Sequence, residues 1–367
     1  MSTSNLTVLE LSGPPYEMGF QHGRAHAEAI GHFARERVRL AGDPQWSGQS
    51  LSREDVLALA EACAAEHRRY SPELTAELQG MADGAGLSLA ELIVVSGFTD
   101  FIDTAYNAAG SERRTPVAAH EGADNCTAFL IPKNRAENAQ ALYGQTWDMH
   151  DSATPHVILI SGKSAGKPAF LVFTTAGCVG MIGMNAAGVT LGINNLSAAD
   201  GQIGVTWNFV VRKALEQTTV KGALACITDA KLAGAHNYLL MDASGAGYNV
   251  EATPSRVHIT ELADEPIVHT NHCLFTETKQ VERQRLASAQ ASSERRLSRG
   301  RALLETGALT PADLQAVTRD PEAICVRSAP PRHVETCGAA VMRPATGDFW
   351  AVWGLPSENE YEHFRVG

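Results

Sequence analysis

The sequence lacks an excess of positive charge. Its 30 lysines and arginines are outnumbered by 41 aspartates and glutamates, which gives a formal net charge of −11 and an isoelectric point near 5.6. Proteins bind nucleic-acid backbones and anionic membranes through clustered lysine and arginine. We therefore expect neither a nucleic acid nor a membrane as a partner.

Long apolar runs are also missing. No run reaches the roughly 20 residues that a membrane-spanning helix needs. The first residues, MSTSN, carry neither the basic segment nor the apolar segment of a secretory signal. On these grounds we expect the protein in the cytoplasm.

Paired cysteine spacings and cofactor fingerprints are absent too. The cysteines show no CxxC pattern, and they are Cys63, Cys126, Cys178, Cys226, Cys273, Cys325 and Cys337. In a cytoplasmic protein this pattern indicates mostly buried thiols, of which one or two are chemically active. No glycine-rich stretch matches a phosphate-binding loop or a dinucleotide fingerprint in its strand–turn–helix setting. We expect no cofactor and no metal.

Hydrophobic periodicity divides the chain near residue 126. Before it, helical spacing predicts helices over 16–40, 52–67 and 87–98, the second with Ser52 as its N-cap. Gly19 and Gly23 lie four apart in the first helix, where they either admit a neighbouring backbone or merely weaken the helix. Residues 108–124 are predicted to be an exposed loop. After it, short apolar and β-branched runs predict many strands. Two short helices, a long helix over 278–304 and a short one over 311–317 interrupt those strands. The order favours layered sheets with helices outside.

The segment around Cys126 carries the clearest chemical signal. A strand-like run begins at Cys126, and a second such run ends at Asp148. If the bond between Asn125 and Cys126 were cut, the cysteine would gain an α-amine with an ordinary pKa of about 7.7–8.0. That amine could act as the base for its own thiol, Asp148 could hold it, and an asparagine could donate to the oxyanion. A buried structural cysteine and a turn aspartate remain the alternative.

Seven short segments, taken in order, resemble a known family. They are GPPYEMGFQHG at 13–23, NCT at 125–127, GQTWD at 144–148, GINNL at 192–196, NVEATP at 249–254, HTNHC at 269–273 and ICVR at 324–327. The order and spacing are similar to the acyl-coenzyme A:6-aminopenicillanate acyltransferase family of N-terminal-nucleophile hydrolases. That family is related to choloylglycine hydrolases and acid ceramidases.

The resemblance implies an α+β fold with four αββα layers. It also implies a helical propeptide over 1–125 and a catalytic core over 126–367, produced by cleavage between Asn125 and Cys126. Cys126 would be the nucleophile, Asp148 would orient its amine, and Asn271 would donate to the oxyanion. The cleaved propeptide would stay bound as a heterodimer, and a homo-oligomer is left open.

Further residues are implied for the substrate pocket. Asn194 and Asn195 lie where the family lines its acyl pocket. The family's C-terminal arginine has Arg327 and Arg332 as its nearest counterparts, and Arg332 is the one expected to bind substrate. Gln145 replaces the arginine of choloylglycine hydrolases, which argues against bile salts as substrates.

We expect the enzyme to hydrolyse the amide of a small N-acyl substrate through a thioester at Cys126. Passing the acyl group to an amine, as an acyltransferase does, is the alternative. Asn125, which replaces the family's usual glycine, keeps open an unprocessed, non-catalytic binding protein.

Two rival sites are less well supported by the sequence. The GxSxG pattern around Ser164 resembles a hydrolase nucleophile elbow, but a strand rather than a helix follows it, which predicts a hairpin turn. His269, His272 and Cys273 could ligate a metal, yet they lack the second spaced pair of a structural zinc site.

Overall fold

The computed structural model describes residues 6–108, 126–330 and 333–367. The helices are α1 Pro15–Ala25, α2 Ala27–Ala41, α3 Pro44–Ser47, α4 Arg53–Tyr70, α5 Pro72–Ala85, α6 Leu89–Ser96, α7 Phe98–Ala108, α8 Trp207–Ala214, α9 Val220–Thr228, α10 Thr276–Lys279, α11 Ala287–Leu303 and α12 Pro311–Thr318. The strands are β1 Thr7–Ser12, β2 Ala128–Ile131, β3 Leu142–His150, β4 Val157–Lys163, β5 Phe170–Thr175, β6 Ile182–Asn185, β7 Thr190–Asn195, β8 His236–Met241, β9 Gly247–Ala252, β10 Val257–Glu261, β11 Ile267–His269, β12 Val334–Arg343, β13 Asp348–Trp353 and β14 Glu362–Arg365.

The strands form two sheets that pack face to face. One sheet has the order β1-β4-β5-β6-β7-β8-β9-β10, and the other has the order β11-β2-β3-β12-β13-β14. Strands β2 and β3 contact β7 and β8 across the space between the sheets. Helices α11 and α12 cover the smaller sheet, and α9 covers β8 and β9 of the larger one. The expected α+β class and its helix–sheet–sheet–helix layering are confirmed.

Local sequence signals explain where several helices begin. Ser52 and Asp55 form a capping box at the start of α4, as the N-cap at Ser52 predicted. Equivalent boxes open α6 and α12, at Ser88 and Thr310. Each box satisfies two backbone N–H groups that the first helical turn leaves unpaired.

Glycines bring α1 and α5 into close contact. A Cβ atom added at Gly19 would lie 1.7 Å from the Glu77 carbonyl oxygen, and one at Gly80 would lie 2.0 Å from that of Tyr16. No side chain fits such gaps, so only glycine permits this approach. The expectation that Gly19 and Gly23 admit a neighbouring backbone is confirmed.

Two predicted helices are shorter than expected. The helix over 16–40 is divided at His26 into α1 and α2. The prediction of one helix over 278–304 was wrong in its first part, because residues 280–286 are not helical. There the Arg283 N–H donates to Ser197 O (2.9 Å), and the Ala199 N–H donates to Val281 O (2.8 Å). These tertiary hydrogen bonds outweigh the local helical preference.

Residues before Cys126 belong to the same core as those after it. Strand β1 joins the edge of the larger sheet, parallel to β4. It was not predicted, nor were α5, α7, β11 and β14. The loop predicted over 108–124 lies outside the described residues, apart from Ala108. Within the described ranges no single helix is long and apolar enough to cross a membrane, and α5 with α6 reaches that length only across a bend of 107°.

Candidate active site

Cys126 lies two residues before the start of β2 and is 2% exposed. The Thr146 N–H donates to Thr127 O at 2.9 Å, so the β2–β3 ladder extends beyond β2 and sets Cys126 opposite Trp147. The Cys126 Sγ is 3.9 Å from the carbonyl oxygen of Asp148. The structure therefore brings the predicted nucleophile and the predicted amine-orienting residue together.

Asp148 is fully buried in β3. Side chains alternate along a strand, so Asp148 points away from Trp147 and towards the layer of α11 and α12. Burial raises the pKa of the Cys325 thiol, and the negative charge of Asp148 raises it further. The same two causes raise the pKa of Cys337. If the Cys126 nitrogen were freed, a buried carboxylate on the neighbouring strand would favour a positive charge on it.

Asn271 is held rigidly on the loop after β11. Its side-chain Nδ2 donates to Asn195 O at 3.1 Å, and its backbone N–H donates to Ser293 Oγ at 2.9 Å. Its Oδ1 accepts a hydrogen bond from Arg296 Nη2 at 3.0 Å. The predicted oxyanion donor is thus buried, and its orientation is set from three directions.

Arg296 connects this asparagine to the cysteine. Its Nη1 donates to Cys126 O at 2.6 Å and to Thr127 Oγ1 at 3.3 Å, while Nη2 reaches Asn271. Arg296 is fully buried in α11. The planar guanidinium group, with donors fixed in a fork, suits such a bridge between two acceptors.

Sequence reasoning did not select Arg296. Arg327 is largely exposed, and it pairs with Glu358 at the surface; Arg332 lies outside the described residues. A signal existed in α11, where Ser293, Arg296 and Gly300 recur at the three- and four-residue spacing of one buried helix face. Two polar residues on a buried face indicate partners in the core.

A buried ion pair supports the loop that carries Asn271. His269 Nε2 lies 2.8 Å from Glu251 Oε1, and His269 Nδ1 lies 2.9 Å from Thr270 O. Both ring nitrogens face acceptors, so the doubly protonated imidazole satisfies both. Burial acts to raise the pKa of Glu251, but hydrogen bonds from His269, Thr278 and the Leu274 N–H hold it below its usual value.

The two predicted pocket asparagines occupy the end of β7. Asn194 is fully buried, and its Oδ1 accepts from Asn237 Nδ2 at 3.4 Å. Asn195 supplies the carbonyl oxygen that binds Asn271. Their place beside the loop that carries Asn271 agrees with a role at the site, and contact with a substrate stays a prediction.

Gln145 links the two sheets through a hydrogen bond. Its Nε2 donates to Ile193 O, and its Oε1 accepts from Tyr143 Oη. A Cβ atom at Gly192 would lie 2.2 Å from both Gln145 Oε1 and Tyr143 Oη, so glycine is required there. A neutral amide can be satisfied in this closed space, whereas an arginine would bring a charge into it.

The residues of the two rival sites have structural roles. Ser164 follows β4 in the turn before the antiparallel β5, so the predicted hairpin is confirmed. His269 binds Glu251, and His272 Nδ1 lies 2.7 Å from Ser293 Oγ. Across the described ranges, no group of three or more histidine, cysteine, aspartate or glutamate side chains could hold a metal ion.

Comparison with known sequences finds a matching family and similar proteins. Residues 134–358 match the family described as acyl-coenzyme A:6-aminopenicillanic acid acyl-transferase. The chain is 28% identical over 266 residues to the 40 kDa form of acyl-coenzyme A:6-aminopenicillanic-acid-acyltransferase from Emericella nidulans, covering 72% of this chain and 68% of that protein. It is 24% identical over 207 residues to an uncharacterized protein from Archaeoglobus fulgidus, covering 53% of this chain and 33% of that one.

Two solved structures show a more distant similarity. A variant of the conjugated bile acid hydrolase from Clostridium perfringens aligns with a TM-score of 0.42 and 13% identity, over 66% of this chain and 97% of that one. Penicillin V acylase from Agrobacterium tumefaciens aligns with a TM-score of 0.39 and 14% identity, over 65% and 86% of the two chains.

Proposed function

Because the chain belongs to the acyl-coenzyme A:6-aminopenicillanic acid acyl-transferase family, we propose that it is a self-processing amide hydrolase with Cys126 as its N-terminal nucleophile. Family membership makes the chain an enzyme of acyl transfer or amide hydrolysis. The finer assignment is supported above all by Arg296, which binds Cys126 O and the Asn271 side chain at the same time.

The first step is cleavage of the chain's own peptide bond. The Cys126 thiol gives up its proton, and its sulfur attacks the carbonyl carbon of Asn125. The carbon–nitrogen bond breaks, the Cys126 nitrogen takes a proton, and a thioester remains. Water then hydrolyses this thioester and releases two fragments, 1–125 and 126–367. The second contains 242 residues (367 − 125).

Turnover repeats this chemistry on a small N-acyl substrate. The freed α-amine of Cys126 takes the thiol proton, sulfur attacks the substrate amide, and the amine then gives the proton to the leaving group. Asp148 favours the protonated amine, and Asn271 donates to the oxyanion. Its Nδ2 carries two hydrogens, of which Asn195 O takes one. Water releases the acyl group from the thioester.

The propeptide is expected to remain bound after cleavage, as one half of a heterodimer. Strand β1 is hydrogen-bonded to β4, and α7 inserts Asp100 and Asp103 into the core. The Asp103 carboxylate accepts hydrogen bonds from the Ala198 and Ala235 N–H groups at 3.0 and 3.3 Å. These contacts support a permanent subunit; a cytoplasmic location and a homo-oligomer stay predictions.

Acyl transfer to an amine is the second candidate. It is favoured by the 28% identity to an acyltransferase. The two activities separate in one experiment, in which an N-acyl substrate is supplied with and without an excess of a second amine. Free acid as the main product in both cases supports hydrolysis, and an exchanged amide supports transfer.

Mass spectrometry of the purified protein tests the mechanism. We expect a 242-residue fragment that begins at Cys126 in the wild type, and an intact chain in Cys126→Ala. Cys63→Ala is the matched control, because it removes another buried thiol and should still be processed. An intact wild type with full activity would contradict self-processing. An intact, inactive wild type that no thiol-reactive acyl probe labels would favour the non-catalytic binding protein.

A further inference from the structure

A small, partly open cavity lies on the nucleophile's side of β3. Its volume is about 40 Å³, and Trp147 and Met149 of β3 form part of its wall. Directly opposed residues of paired strands project from the same face of a sheet. Because Cys126 lies opposite Trp147, an acyl group on Cys126 Sγ would extend over the indole of Trp147 towards this cavity.

One buried cation lines the cavity. Of the described residues around it, Arg37 alone carries a charge, and its side chain is 2% exposed. The guanidinium carbon lies 4.4 Å from the ring centroid of Phe33 and 4.5 Å from that of Phe98, while Glu36 Oε2 is 3.9 Å from Arg37 Nε. Two aromatic faces therefore hold the positive charge at the cavity wall.

An indole N–H at the same cavity has no acceptor. Trp207 is 8% exposed and lines the cavity, and its Nε1 has no hydrogen-bond partner among the described residues. A buried donor without a partner costs free energy, and most such groups in proteins are satisfied. The unmet hydrogen bond indicates that an acceptor from outside the described chain binds here.

Thr99 is a third polar residue at the cavity, and His236 supports its side chain. Thr99 lines the cavity, and its Oγ1 lies 3.2 Å from His236 Nε2, while His236 Nδ1 lies 2.9 Å from Asp100 Oδ1. The Trp207 indole packs on the His236 ring at 5.4 Å between centroids. The Trp207 main-chain N–H also donates to Asp100 Oδ2 at 2.6 Å. Asp100 therefore contacts both His236 and the backbone of Trp207.

We propose that this cavity is the acyl subsite and that it selects a short acyl group ending in a carboxylate. The proposal rests on Cys126 being the nucleophile. The carboxylate accepts from Trp207 Nε1–H and lies against the Arg37 guanidinium, and its methylene groups contact Trp147 and Met149. At about 10–15 Å³ for each water, 40 Å³ corresponds to roughly three waters. Malonyl and succinyl groups are therefore the expected size.

Substrate pairs that differ only in charge test the subsite. We expect the N-succinyl derivative of an amine to have a kcat/KM at least tenfold above that of its neutral N-succinamoyl counterpart. In Trp207→Phe, which keeps the ring and removes the N–H, this ratio should fall by roughly tenfold. Trp353→Phe, at the end of β13, should leave the ratio unchanged. Equal rates for the two substrates, or an unchanged ratio in Trp207→Phe, would overturn the proposal.

Binding to Cys126→Ala separates this proposal from the proposed function. Calorimetry of that variant with the N-succinyl and N-succinamoyl amines requires neither processing nor turnover. Tighter binding of the carboxylate, lost when Trp207→Phe is added, supports the subsite even if the wild type remains intact and inactive. A processed and active wild type whose Cys126→Ala variant binds both compounds equally would overturn the subsite and leave the nucleophile standing.

Discussion

Arg296 is the residue on which the geometry of the site depends most. Its two terminal nitrogens hold the Cys126 carbonyl oxygen and the Asn271 side-chain oxygen at 2.6 and 3.0 Å. A lysine ammonium is a single point and cannot span both acceptors. The side chain is also buried, so its loss leaves polar groups unsatisfied in the core.

We therefore predict that Arg296→Lys lowers kcat/KM by about 100-fold or more, comparable to the loss of one oxyanion donor. The fraction of cleaved chain, measured by mass spectrometry, should fall with it. Arg327→Lys is the control, because Arg327 is exposed and pairs with Glu358 at the surface. If Arg327→Lys caused the larger loss, Arg327 rather than Arg296 would serve the site.

At the same scale, the proposed role of Asp148 depends on its charge. We predict that Asp148→Asn lowers kcat by about 100-fold or more, because the neutral side chain no longer favours the protonated Cys126 amine. The variant should also lower the pKa of the Cys325 thiol, since the Asp148 charge contributes to raising it. The pH dependence of Cys325 alkylation in a Cys126→Ala background measures this shift. An unchanged profile would mean that Asp148 is uncharged there.

At the scale of elements, the loop after β11 depends on two neighbours that lie far away in the sequence. Glu251 in β9 binds His269, the Leu274 N–H and Thr278, and so fixes both ends of the loop that carries Asn271. Ser293 in α11 accepts from the Asn271 N–H. The predicted oxyanion donor is thus held by a strand of one sheet and a helix that covers the other.

Glu251→Gln tests this support. We predict that it lowers the free energy of unfolding by about 3 kcal/mol, because it leaves the buried His269 without its counter-charge. Urea unfolding measures the change, and kcat should decrease in the folded variant because Asn271 loses its fixed position. Glu261→Gln on the exposed face of β10 is the control and should change neither value. A variant as stable as the wild type would argue against an ion pair.

For the molecule as a whole, one histidine links the N-terminal helices to the larger sheet. His22 in α1 is buried, and its Nε2 accepts a hydrogen bond from the Gly177 N–H at 3.1 Å. Burial and then the neighbouring His26 lower the pKa of His22 to about 3. The folded state therefore needs neutral His22, because protonation would set a donor against a donor.

The sign of the pH effect follows from linkage. Between pH 6.5 and about 3 the unfolded chain binds a proton at His22 that the folded chain does not, so acid removes stability in that window. Relative to His22→Gln, the wild type should lose about 2 kcal/mol of unfolding free energy between pH 7 and pH 5. Chemical unfolding at both pH values checks this. Parallel pH profiles for the two proteins would contradict the assignment.

Local patterns predicted what depends on neighbours in sequence. The capping box at Ser52, the close-approach glycine Gly19 and the hairpin at Ser164 each follow from a few adjacent residues. The strand periodicity after residue 126 predicted most strands of the two sheets. Two strands were not predicted, because their hydrophobic patterns are too weak. β14 lies at an exposed edge of its sheet, and β11 has only three residues.

The sequence by itself determined the family resemblance, the layered α+β class and the candidate positions Cys126, Asp148 and Asn271. Only the tertiary structure decided that Arg296 joins two of them, since it lies 170 residues from Cys126 along the chain. It also decided that Arg37 and Trp207 share one cavity. A contact between distant segments depends on how sheets and helices pack. The spacing of buried residues in α11 marks Arg296 as facing the core, but it does not identify the partners of Arg296.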